Sequence, residues 1–163
     1  MHRGNLYVAR LSAWFECLGS QEFATKVAQH HRPDERFIRE TVMNLPEVEV
    51  LAACSFHGDI GQAKKGLDAH ATAEQAKVFQ DEESLRETLR SEGEAHKEKY
   101  GIKFMVSAKG RTGKELLQVL RDRQKNTRDE EWNCAREALF EICWKRSTEH
   151  LLLSRHIAVG SRL

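Results

Sequence analysis

The sequence holds no CxxC pair, no HExxH motif, no Glu-x-x-His pair and no Cys/His quartet, and the adjacent His30 and His31 cannot share a helix face. A structural or catalytic metal is therefore not expected. The four cysteines, Cys17, Cys54, Cys134 and Cys143, are scattered, three of them among apolar or helical neighbours. They read as small buried hydrophobes in a reducing compartment rather than a disulfide framework. Apolar stretches are short and broken by charge, far below the roughly 20 residues of a membrane span. The first ten residues carry scattered basic groups without the apolar region or cleavage site of a secretory signal. An excess of either charge is lacking too: 26 Lys+Arg stand against 25 Asp+Glu. No whole-molecule field favours nucleic acid or an anionic membrane, so any anion must be gripped locally. No repeat or low-complexity tract appears, and 163 residues suffice for one domain with a core that needs no disulfide or metal.

What is present is helical periodicity. From Ser12 to His31, apolar Trp14, Phe15, Leu18, Phe23, Val27 and Ala28 flank Gly19-Ser20. Two short helices are expected, with Ser20 capping the second and Glu16 and Glu22 early in each. Arg32-Pro33-Asp34 interrupts the pattern, and Phe37, Ile38, Val42 and Met43 mark a third helix that Leu45-Pro46 closes. Glu47 to Phe56 is mostly apolar and reads as a buried helix delivering His57 at its end. A further helix is expected from Thr72 as N-cap, with Glu74 and Gln75 in its first turn, running on until Gly101 stops it. Ile102 to Ala108 is the one stretch with β-like alternation. Thr112 then caps a helix through Arg123, and a last long helix starts near Arg128. The expected fold class is all-α, a single compact multi-helix domain with one short extended segment.

Candidate chemistry centres on Phe56-His57-Gly58-Asp59-Ile60-Gly61. An imidazole on a glycine-rich turn, with the carboxylate and amide of Glu74-Gln75 further along, is a plausible acid/base set for a small polar substrate. Taken alone, His57 reads more simply as a structural turn histidine than as a catalytic one, and Glu74 as a surface carboxylate at a helix start. Lys109 to Lys114 resembles a phosphate loop superficially but lacks the GxxxxGK[ST] spacing, so it reads as a helix start with basic solvent-facing residues. Arg121, Arg123, Lys125 and Arg128 form a basic run without aromatics for base stacking, a solvated face. Arg146 lies near the end of the last helix, where a cation suits the dipole; its functional use would be a fork for a substrate carboxylate.

Several pieces, in order, resemble the 2-oxo-4-hydroxy-4-carboxy-5-ureidoimidazoline (OHCU) decarboxylase family, including the decarboxylase domain of plant-type allantoin synthase. Trp14 to Ala24 resembles its first helices, and His57-x-x-Ile60-Gly61 its HPxIG turn. Glu74-Gln75 matches its EQ pair. Tyr100 to Phe104 followed by Ala108-x-Gly110-Arg111 resembles its FGFxF...AxGR segment. Arg123-x-x-Asn126 with Glu131 resembles its RLxN...E, and Ile142-x-x-x-Arg146 its terminal helix. The likeness runs from about Leu11 to Leu152. It divides the chain into an N-terminal extension (1–10), the helical domain (11–152) and a flexible C-terminal tail (153–163).

The resemblance implies an all-helical, cofactor-free, usually dimeric enzyme converting OHCU to (S)-allantoin and carbon dioxide. By it His57, Glu74 and Arg146 are catalytic: His57 as acid/base, Glu74 orienting hydroxyl or ureido groups, Arg146 holding an anionic or carbonyl oxygen. Gly58, Ala71, Gln75 and the backbone of Phe104, Met105, Val106, Ser107 and Ala108 would contact substrate, Gln75 through the ring amides. Two positions depart from the family: Gly58 replaces a proline and Ala71 a serine. Ser161-Arg162-Leu163 resembles the SKL-type peroxisomal signal, implying an import receptor as partner and a peroxisomal, otherwise cytoplasmic, address. Neither nucleic acid nor membrane is expected as a partner. The alternative is a non-catalytic helical ligand-binding or interaction module built on the same fold.

Overall fold

A computed structural model describes residues 2–61 and 69–149. It is all-α, as expected, with eight α-helices among the described residues: α1 His2–Leu18, α2 Gln21–Gln29, α3 Glu35–Met43, α4 Glu47–Phe56, α5 Ala69–Glu74, α6 Glu83–Tyr100, α7 Gly113–Arg123 and α8 Arg128–Glu149. A short 3-10 turn, Val78–Gln80, lies between α5 and α6. Local signals explain most boundaries. Ser20 Oγ accepts from Phe23 N–H at 3.1 Å and Asp34 Oδ1 from Phe37 N–H at 2.8 Å, which satisfies orphan donors at the starts of α2 and α3. Gly101, at φ 70°, ends α6.

Two expectations about boundaries fail. The first helix begins at His2 and not Ser12, so Glu16 sits in its last turn and the expected N-terminal extension is largely helical. The helix expected from Thr72 does not exist as one piece. Glu74 closes α5, and the chain leaves helical geometry at Asp81 and Glu82 (ψ 161° and 147°) before α6 begins. At the break, Asp81 Oδ2 accepts from Gly113 N–H at 2.7 Å and so caps α7 from outside.

The described residues fall into two compact units, one of those up to Phe56 together with those from Leu139 on, the other of those between His57 and Ala138. In the first, Trp14, Leu18, Phe23, Val27, Ile38, Val42 and Leu139 are buried, with Trp14 and Phe23 edge-to-face at 6.2 Å. The reading of α4 as a buried helix holds for one face only: Val50, Ala53 and Cys54 are inside while Val48 is 69% exposed. In the second unit, Val78, Leu89, Phe104, Val106, Ala108, Leu116, Leu117 and Leu120 form one apolar cluster. Thus α6, α7 and the segment after Gly101 share a core.

Candidate active site

Helix α4 ends at Phe56, whose ring meets Phe15 edge-on at 5.6 Å. The next residue, His57, opens the second unit's turn and is only 5% exposed. Gly61 closes the turn at φ +80°, and a Cβ there would lie 2.8 Å from the Arg86 carbonyl, so no other residue fits without displacement. Gln75, 2% exposed, braces the turn across 14 residues: its Oε1 accepts from Gly61 N–H at 3.0 Å and its Nε2 donates to the Asp59 carbonyl at 3.1 Å. Lys103 braces the other end. Its Nζ donates to the His57 carbonyl at 2.7 Å and pairs with Asp59 Oδ1 at 2.8 Å.

The expected role of Gln75 as a reader of ring amides therefore needs qualification. Its amide is already committed to shaping the turn, with one N–H and one lone pair left over. Glu74 differs from expectation in position. It is the last residue of α5, half-buried, where the expected helix start would have placed it against a favourable dipole. Ala71 lies buried in the same helix, and Gly58 is half-buried.

Residues 103–108 are non-helical and join no strand among the described residues; Phe104, Met105, Val106, Ser107 and Ala108 are all buried. The segment is fixed from beneath by a charged network. Arg123 Nη1 donates to the Met105 carbonyl at 2.6 Å, and its guanidinium lies 4.8 Å over the Phe104 ring. Arg123 also grips Glu131 in a fork, through Nε at 3.1 Å and through Nη2. Glu131, fully buried, accepts further from His96 Nε2 at 2.7 Å and Asn126 Nδ2 at 3.0 Å. Burial works to raise the Glu131 carboxyl's pKa, yet the hydrogen bonds from His96 and Arg123, the Arg123 charge and the Asn126 contact hold it below its ordinary value. The carboxylate is thus ionised, and His96 must carry its proton on Nε2.

Arg123 consequently departs from the solvated basic face expected of it. Arg121, its neighbour in that run, forks onto Glu92 on the surface. Arg146 belongs to the first unit, is 2% exposed, and its Nη1 donates to the Glu16 carbonyl at 3.3 Å. Of the residues singled out from sequence, the structure brings His57 and Gln75 to one turn and places Arg146 in the other unit. Lys103 and His96 were passed over; only a polar residue interrupting an apolar alternation, and a histidine one helical turn before Tyr100, signalled them. A groove of about 190 Å³ opens beside the turn, with Asp59, Ile60, Lys103 and Phe104 in its wall, and His57, Glu74 and Gln75 do not line it. Among the described residues no group of three His, Cys, Asp or Glu could hold a metal ion, and no helix is long and apolar enough to cross a membrane.

The described residues thus form a helical fold in which a buried histidine stands on a turn braced at both ends. The OHCU decarboxylase family model matches residues 12–148, and the chain belongs to that family. A crystal structure of OHCU decarboxylase in the presence of (S)-allantoin is similar in fold, with a TM-score of 0.69 and 25% sequence identity over 83% of this chain and 94% of the other. No curated protein sequence matches significantly.

Proposed function

We propose that His57 is the proton-handling group of the reaction, with Glu74 orienting the substrate's hydroxyl or ureido groups and Arg146 holding an anionic oxygen. The reaction is the family's: decarboxylation of OHCU to allantoin and carbon dioxide in urate breakdown. The bond from the ring carbon to the carboxylate breaks, carbon dioxide leaves, and the electron pair is received by the adjacent imine of the substrate itself. The chain's task is then to hold the heterocycle, exclude water and return one proton to one face of the ring, which sets the (S) configuration. Gly58, Ala71 and the backbone between Phe104 and Ala108 would border the heterocycle, and Gln75 would meet it with its remaining N–H. The reading also includes a homodimer, and peroxisomal import through Ser161-Arg162-Leu163, which lies outside the described residues.

The observation that carries this reading is His57 itself, a residue 5% exposed on a turn held at both ends. Circular dichroism during urate oxidation tests it. The protein should accelerate the appearance of optically active allantoin, and His57→Asn should abolish the acceleration. A rate equal to spontaneous decay sinks the reading, and ligand binding without turnover would favour the non-catalytic module.

A further inference from the structure

The peptide after His57 is anchored in an uncommon way. Gly58 imposes no steric restriction on φ or on the preceding residue, whereas a proline would fix φ near −65° and confine His57 to extended backbone. Left to itself, the Gly58 hinge would let the imidazole sample several directions. One ammonium spans that hinge: Lys103 Nζ holds the His57 carbonyl on one side, at 2.7 Å, and the Asp59 carboxylate on the other, at 2.8 Å. The Lys103 side chain is 17% exposed and that of Asp59 60%, so the charge-assisted bond to the carbonyl of buried His57 is the one better sheltered from competing water. Its backbone is equally constrained, lying between buried Ile102 and buried Phe104. The tether therefore runs from the core of the second unit to the two peptides flanking the hinge.

We propose that Lys103 is a positioning residue for His57, supplying through a cation the restriction that Gly58 fails to supply through its backbone. This rests on the reading of His57 as the proton-handling group. Lys103 touches no reacting atom in this scheme; it sets the direction of the imidazole. Gln75 cannot do the same alone, because it holds the Asp59 and Gly61 peptides and leaves the His57 carbonyl to Lys103.

The test compares wild type, Lys103→Met, Lys103→Arg and the double variant Lys103→Met/Gly58→Pro. Lys103→Met should lower kcat on the order of 10- to 100-fold, the loss expected of a misplaced catalytic group, with KM changed less and the thermal midpoint nearly unchanged. Lys103→Arg should keep most of kcat. Gly58→Pro introduced into Lys103→Met should recover most of what was lost, which a merely structural or substrate-binding lysine would not allow. A second readout is independent of turnover: the ¹³C ring resonances of His57, assigned by their loss in His57→Asn, should broaden by exchange in Lys103→Met and sharpen again in the double variant. Wild-type kcat and sharp resonances in Lys103→Met overturn the proposal. So does a kcat loss without broadening that the added proline leaves unrepaired. Turnover that survives His57→Asn overturns the underlying reading instead, and the resonances still report whether Lys103 holds the turn.

Discussion

Glu131 is an ionised carboxylate with no access to solvent, a state its three donors make possible. His96, Arg123 and Asn126 together occupy both oxygens, and removing the acceptor strands a histidine and a guanidinium in the core. Breaking a buried pair of this kind costs about 3–5 kcal/mol, so Glu131→Gln should lower the free energy of unfolding by about that amount in urea titration. The pH dependence has a definite sign. Because the folded-state pKa is held below the unfolded one, the contribution is complete above the ordinary carboxylate value of about 4 and is lost as pH falls through the lower folded value. The difference between wild type and Glu131→Gln should narrow accordingly below pH ~4. A gap that stays constant into acid would show that the carboxylate is not ionised in the fold. Through Arg123, the same network holds the Met105 carbonyl, so the buried charge also fixes the extended segment beside the turn.

Helix α7 shows how an element is set by two kinds of signal. Its capping box is local: Glu115 N–H donates to Thr112 Oγ1 at 3.3 Å, and Thr112 N–H to Glu115 Oε2 at 2.7 Å. Thr112→Ala should cost about 1 kcal/mol, read as a lowered unfolding midpoint with kcat unaffected; no change in the midpoint would mean the box adds nothing beyond the Asp81 cap. That second cap comes from 32 residues away and could not be found in a window of sequence. The run from Thr72 to Glu92 has no Gly or Pro to stop it, so nothing in it announces that α5 closes at Glu74, and the partner of Asp81 is one that only the fold brings near. The boundaries at Ser20, Asp34, Gly101 and Thr112 were legible because their signals lie within three or four residues of the helix they bound.

At the scale of the whole molecule, the near-zero net charge leaves no general attraction to polyanions, and affinity for substrate has to come from placed groups. The molecule also exposes some apolar surface: Val48 and Leu51, three apart on α4, are 69% and 40% exposed. On the proposed homodimer, sedimentation velocity should give twice the chain mass. On the proposed peroxisomal reading, an N-terminally tagged chain should collect in peroxisomes and fail to do so when Ser161-Arg162-Leu163 is removed. A monomer at all concentrations, or a diffuse tagged chain, would remove the corresponding part of the reading.

Periodicity and caps determined the all-α class and most helices, since a helix's apolar face and end groups are written within a few residues of each other. The ordered motifs determined the family and nominated His57 and Glu74-Gln75. Tertiary structure alone decided that Gln75 shapes the turn, that half-buried Arg123 holds the extended segment, and that Lys103 holds the peptide of His57. Those roles depend on bonds between residues 14 to 46 positions apart, or on a shared buried acceptor. A side chain's donors and charge can be read from its type, but which carbonyl or carboxylate it meets is settled only when the core closes around it.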